Sequence, residues 1–361
     1  MKTAGAEWRV AVVLFLIHWS WFSVAEESTH SYEHLRDPVR VVPPESIQPD
    51  RLYPAVFYFH GTGGKSSTGM MESYTKGIPS FVIGIGYQNQ GLLQLADGMV
   101  EEELASFRTV LADLLTKYPI DPKKVFVSGF SKGGWMSAFL IEAEPRVAGA
   151  IVMGAGAMDG MDYFDERAAN GKPVYIGIGI EEKNQVNSMR LVERMRALGA
   201  RPTLEQWEET GHTMPRGDEG AVGLRQWLKL HLAPGTIDAD GARAWAGERL
   251  QEIRAFEEDG RKYLALVRFK SLPYLQALGT QGQGIIDREI AEVRKTEEGS
   301  LEAQAWEGFD RLIRDELKDR SRTALERYLE GHKSIAERFP DTVSAKYALA
   351  AANRIGQVLG Q

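Results

Sequence analysis

Residues 127–137 read VSGFSKGGWMS. The apolar run VFV at 125–127 leads into a serine with Gly129 two residues before it and Gly133 two residues after, and a helix-forming stretch follows. A serine that only capped a helix would not need those glycines. A G-x-S-x-G pentad between a strand and a helix does need them. Its serine sits on a sharp, strained turn, and the glycines let neighbouring backbone approach with no Cβ in the way. The hydroxyl then stands above the C-terminal edge of a sheet, at a helix N-terminus whose dipole favours developing negative charge. Ser131 is thus the candidate nucleophile, supported by Gly129 and Gly133.

The flanking sequence has the rhythm such a turn requires. Apolar runs at 55–59 (AVFYF), 80–86 (SFVIGIG), 125–129 (VFVSG), 148–154 (AGAIVMG), 174–179 (VYIGIG) and 203–207 (TLEQW) alternate with helical stretches. Continuous apolar runs suit strands buried on both faces of a parallel sheet. Residues 100–118, 134–144, 188–198 and 219–230 supply the helices, the first with Leu104, Phe107, Val110, Leu111, Leu114 and Leu115 at 3–4 spacing. The expected fold is a doubly wound α/β domain with a mostly parallel sheet and right-handed crossovers. VRVV at 39–42, before two prolines, is a possible edge strand.

After about residue 234 the strand signal disappears. Residues 241–256, 261–278, 285–293, 301–317, 324–339 and 343–359 show helical periodicity and many charges. One apolar stripe runs through Leu325, Tyr328, Leu329, Ile335 and Phe339, another through Ala345, Ala348, Leu349, Ala352 and Ile355. A smaller all-α domain is expected at 235–361, with TQGQG at 280–284 as a flexible break. Its last helix pair weakly resembles a tetratricopeptide hairpin.

The first 25 residues read differently from both parts. Lys2 and Arg9 precede VAVVLFLI at 10–17, and SVA at 23–25 ends in small residues, which is the pattern of a cleaved export signal. The apolar run falls short of the ~20 residues of a spanning helix. The expected product is secreted or periplasmic, an uncleaved membrane anchor being the lesser alternative, with residues 26–234 as the sheet domain. The net charge of −7 and pI of about 5.7 argue against a nucleic-acid binder, which would show a basic stripe. With no cysteine, the chain has no disulfide and no thiolate metal site.

A serine hydroxyl needs a base. Of seven histidines, His18 falls in the signal pattern, His30 and His34 lack a third metal ligand, and His231 and His332 read as surface positions on helices. His212, in ETGHTMP after the last strand run, is the candidate base. YFHGTGG at 58–64 ends an early strand and is the candidate oxyanion loop. One donor would be the Lys132 N–H and the other that of Thr62 or Gly63, with His60 and Gly61 supporting the loop. A phosphate loop of the G-x-x-x-x-G-K-[ST] type is set aside because Phe59 stands where its first glycine belongs. The acid should follow the 174–179 run, where Glu182 is favoured over Glu181 by its longer offset from Gly179. Asp159, Asp162 and Asp165 after the preceding strand are a second source. Tyr87, Trp135, Met158 and Tyr163 are candidate substrate contacts. This chemistry calls for no cofactor and no metal.

On these residues, 55–232 resembles the α/β-hydrolase superfamily, and within it the secreted esterases related to polyhydroxybutyrate depolymerases and feruloyl esterases. The resemblance rests on Ser131, His212, HGTGG and DPKKVFVSGFSKGG at 121–134. It implies ester hydrolysis through an acyl-enzyme, acting on a small-molecule or polymer ester. Peptide or amide cleavage is a variant of the same machinery. Glutamates stand where the family usually has aspartate, and the disulfides frequent among secreted members are missing. A weak or silent hydrolase fold, binding a protein partner through the helical tail, is the competing expectation.

Overall fold

The computed structural model describes residues 26–89, 98–157, 166–207, 211–215, 221–232, 239–270 and 279–360. The export pattern at 1–25 and the positions Met158, Asp159, Asp162, Tyr163 and Asp165 lie outside the described residues. The strands are β1 (Ser28–His30), β2 (Val39–Val42), β3 (Tyr53–Phe59), β4 (Phe81–Ile85), β5 (Ile120–Phe130), β6 (Val147–Met153), β7 (Pro173–Gly179) and β8 (Arg201–Trp207). They form one sheet in the order β1-β2-β4-β3-β5-β6-β7-β8. The β1–β2 and β2–β4 pairs are antiparallel and all others parallel. VRVV is therefore not an edge strand: Ser28–His30 covers it, a segment too short and polar to announce itself.

Helices α1 (Gly69–Thr75), α2 (Met99–Lys117), α3 (Lys132–Ala143), α4 (Gln185–Ala197) and α5 (Val222–Leu232) cover the sheet. Successive strand residues point to opposite faces, and here both faces are apolar. From β3, Ala55, Phe57 and Phe59 join a core with Phe107 of α2, Phe139 of α3 and Leu191 of α4. The intervening Val56 and Tyr58 join Met71 of α1 and Trp227 of α5 on the other side. That is the doubly wound arrangement, and it explains runs with no polar alternation.

The helices that follow are α6 (Ala239–Arg254), α7 (Asp259–Lys270), α8 (Gly279–Val293), α9 (Glu297–Lys318), α10 (Arg322–Arg338) and α11 (Val343–Leu359), which pack together. Thr296, Ser321 and Thr342 cap the last three, each side-chain oxygen accepting a backbone N–H. Buried Glu302 of α9 accepts the Val343 and Ser344 N–H groups, both at 2.8 Å, and so pins the start of α11. The expected flexible break at 280–284 is instead the first turns of α8. Buried Ile286 and Val293, with half-buried Ile290, tie that helix to its neighbours, and such packing outweighs the poor propensity of glycine.

Two histidines read as surface positions are not. His231 is half-buried against the Trp227 ring, 4.5 Å between centroids, and burial lowers its pKa to about 4. His332 is fully buried beside the Phe309 ring. Burial, helped by the Arg354 charge, lowers its pKa from 6.5 to about 3. The folded chain thus keeps this imidazole neutral where the unfolded chain would protonate it. Its stabilisation is complete above pH 6.5 and falls away as the pH drops toward 3, with about 2 kcal/mol lost by pH 5. Melting at pH 7.5 and pH 5 is expected to show a smaller acid-induced drop in His332→Leu than in the wild type.

Candidate active site

β5 ends at Phe130 and α3 begins at Lys132, so Ser131 alone makes the turn, at φ 56° and ψ −119°. A side chain held at such a backbone conformation costs of order 1–3 kcal/mol and persists only where its surroundings enforce it. The Ser131 N–H donates to Met153 O of β6 at 2.9 Å. The glycines are compulsory for space. A Cβ on Gly133 would stand 1.9 Å from Phe59 O, and one on Gly129 2.2 Å from the Gly133 carbonyl carbon. Gly134, outside the pentad, is also confined, a Cβ there falling 2.6 Å from Ala155 Cβ. Gly133→Ala is expected to destabilise the chain by at least about 4 kcal/mol, whereas Gly69→Ala, with open space around it, stays within about 0.5 kcal/mol. Urea unfolding of the two variants checks this.

His212 lies between β8 and α5, its ring 4.9 Å from that of Phe130. Its Nε2 is 2.9 Å from Ser131 Oγ, and its Nδ1 is 2.6 Å from Glu182 Oε2. The histidine side chain is one-third exposed and the Glu182 side chain buried. One chain of contacts therefore runs from an accessible hydroxyl to an enclosed carboxylate. Glu181 is exposed, and it is Glu182 that meets the imidazole. The Glu182 N–H donates to Gly179 O at 3.1 Å, and the Asn184 N–H reaches Glu182 Oε1 at 3.2 Å. Asn184 Nδ2 donates to Gly154 O at 3.0 Å, which ties the turn carrying Glu182 to the end of β6.

The His212 loop is closed at its base by Glu205. This half-buried glutamate of β8 accepts the Gly223 and Leu224 N–H groups at the start of α5, both at 2.9 Å, and the Tyr175 hydroxyl. Burial raises its pKa.

The 60–64 loop lies against the serine turn: a Cβ on Gly61 would stand 3.4 Å from Phe130 O and 3.5 Å from Ser131 Cβ. Gly64 N–H closes a turn on Gly61 O at 3.1 Å, Gly63 has φ 75°, and Thr62 and Gly63 are exposed. His60 Nδ1 is 2.7 Å from Gly61 O, and burial lowers the imidazole pKa. Tyr87 is buried and not available to substrate. Its hydroxyl donates to His60 O at 2.9 Å, which holds the loop from below. Trp135 is half-buried and packs against the sheet core.

Sequence reading missed the Lys132 side chain. It is buried, with Nζ 3.8 Å from the centre of the Tyr87 ring and donating to Asn89 O at 2.8 Å. Burial lowers its pKa, opposed by the Glu103 charge. Buried Glu103 in turn accepts the Gln88 and Asn89 N–H groups. Phe130 beside the imidazole and Asn184 beside Glu182 were also missed. Asn184, two residues past Glu182 in EEKN, was the readable one of the three.

No group of three or more metal-ligating side chains occurs among the described residues. His30 Nε2 is 2.6 Å from the Tyr118 hydroxyl. No helix among the described residues is long and apolar enough to cross a membrane.

The sequence model of the prolyl oligopeptidase family matches residues 87–221, a stretch that holds Ser131, Glu182 and His212. No curated protein matches the chain. Among solved structures, a thermostable esterase is similar at 20% identity and TM-score 0.40, over 51% of this chain and 54% of its own, so the likeness spans about half of that protein. The feruloyl esterase module of Clostridium thermocellum, complexed with sinapinate, is similar at 15% identity and TM-score 0.41, over 52% of this chain and 82% of its own. The acylaminoacyl peptidase of Pyrococcus horikoshii is similar at 11% identity and TM-score 0.45, over 60% of this chain and 43% of its own. The strand order and the serine turn between β5 and α3 make the sheet half of the chain an α/β-hydrolase fold.

Proposed function

We propose that the chain is a serine hydrolase that cleaves carboxylic esters through an acyl-enzyme. The supporting observation is the continuous Ser131–His212–Glu182 hydrogen-bonded chain beside an exposed glycine loop. In this reading Ser131 Oγ attacks the acyl carbon while His212 Nε2 takes its proton. Glu182 keeps the other imidazole proton on Nδ1 and stabilises the imidazolium as it forms. Backbone N–H groups of Lys132 and Thr62, or Gly63 in its place, hold the oxyanion. His212 returns the proton to the leaving alkoxide. Water, activated by the same imidazole, then releases the acid and restores Ser131.

Esters are the first assignment on chemical grounds. An alkoxide leaves with less help from a general acid than an amine does, so a working triad at an open site cleaves activated esters first. Peptide or amide cleavage is the second reading, favoured by the family match over 87–221. A paired panel of p-nitrophenyl esters and p-nitroanilides with matched acyl groups separates them. The ester reading expects kcat/KM at least 100-fold higher on the esters. Equal or higher values on the anilides would overturn it.

A further inference from the structure

Ile180 is the first residue after β7, and it is buried. Its side chain joins neither of the cores that flank the sheet. It joins the core of the helical region, with Leu250 and Ile253 of α6, Leu264 of α7 and Phe309 of α9. Half-buried Met189 of α4 packs against that same core. The backbone of Ile180 stays with the sheet, its N–H donating to Trp207 O at 3.0 Å. Two residues on stands Glu182, with its carboxylate on His212.

The turn that carries the acid is therefore held from two sides. On one side Asn184 Nδ2 donates to Gly154 O, Ser188 Oγ donates to Ala155 O, and Ala157 N–H donates to Asn187 O at 2.9 Å. Gly156 is pressed so close to Asn187 that a Cβ would stand 2.0 Å from its carbonyl carbon. On the other side Ile180 sits in the helical core and half-buried Met189 packs against it. A glutamate reaches its partner through one more rotatable bond than an aspartate, so the placement of its carboxylate depends more on a fixed backbone.

We propose that the helical region is a positioning element for the acid: by seating Ile180 and Met189 it fixes the 180–185 turn and thereby the Glu182–His212 bond. Ile180 is a positioning residue acting through Glu182. This inference rests on the reading of Glu182 as the acid of a serine hydrolase.

The test is a double-mutant cycle in the full chain with an activated ester. Ile180→Ala is expected to lower kcat ten-fold or more with KM within two-fold, and Ile180→Val to recover at least half of the wild-type kcat. On a Glu182→Ala background the Ile180→Ala change is expected to alter kcat less than two-fold, because the group it acts through is gone. A purely structural role would lower kcat by the same factor on both backgrounds, and that result overturns the inference. So does a folded Ile180→Ala with unchanged kcat. If Ile180→Ala fails to fold by near-ultraviolet circular dichroism, Met189→Ala, half-buried on the same core, enters the cycle, with at least a three-fold loss expected on the wild-type background and none on the other. Ser131→Ala is assayed alongside. If it retains hydrolysis the serine-hydrolase reading itself falls, an outcome distinct from failure of the cycle.

Discussion

Ser131→Ala is expected to lower kcat on an activated ester by about 10⁶-fold, with thermal stability close to the wild type. The hydroxyl is the attacking atom in the proposed reaction, and no neighbour replaces it. Lys132 is buried under the 87–89 segment with its ammonium on Asn89 O, so it is not a substitute nucleophile. Stability is little affected because the turn is fixed by backbone. The Ser131 N–H bond to Met153 O and the glycine contacts at 129, 133 and 134 all survive the substitution. In the proposed reaction Ser131 and His212 act as one unit, so His212→Ala is expected to cost about as much, and the double variant no more than either alone. Losses that multiply would mean that the two side chains act separately, against the 2.9 Å contact between them.

Glu182→Ala is expected to lower kcat by about 10⁴-fold, and Glu181→Ala to leave it within two-fold. The two carboxylates are adjacent in sequence and opposite in environment. Glu182 is buried, 2.6 Å from His212 Nδ1, while Glu181 is exposed. Removing the buried one frees the imidazole to adopt the other tautomer and leaves the forming imidazolium without its counter-charge. Steady-state kinetics of both variants on one ester decides this. Equal effects, or a larger loss at Glu181, would move the acid elsewhere.

The sheet half was legible because its signals are local. Strands β3, β4, β6 and β7 are uninterrupted apolar runs, and the G-x-S-x-G turn sits between a strand and a helix whose steric needs it states. The candidate acid was legible only as Glu182 or Glu181, with Asp159, Asp162 and Asp165 as a second source. What singles out Glu182 is its turn's contact with Gly154 and its own with His212, both remote in sequence. His332 carried an unread signal. It falls three residues after Leu329 and three before Ile335, in phase with the apolar stripe, and its polarity alone led it to be read as surface. Leu349 is the converse: placed in a stripe by spacing, it lies 50% exposed because Ala345, Ala348, Ala352 and Ile355 already fill the buried face of α11. Tyr87 and the Lys132 side chain were opaque for another reason. Tyr87 near a site reads as a contact for a ligand, and Lys132 entered only through its backbone N–H. Only the fold turns both side chains inward, the Tyr87 hydroxyl onto His60 O and the Lys132 ammonium onto the Tyr87 ring.

Reaction with a fluorophosphonate probe, followed by peptide mapping, tests the central claim most directly. One adduct per chain is expected, on Ser131, with labelling lost in His212→Ala. A folded wild-type chain that takes up no probe, or labels equally well without His212, would contradict a hydroxyl activated by that imidazole, and would leave a hydrolase fold used for binding.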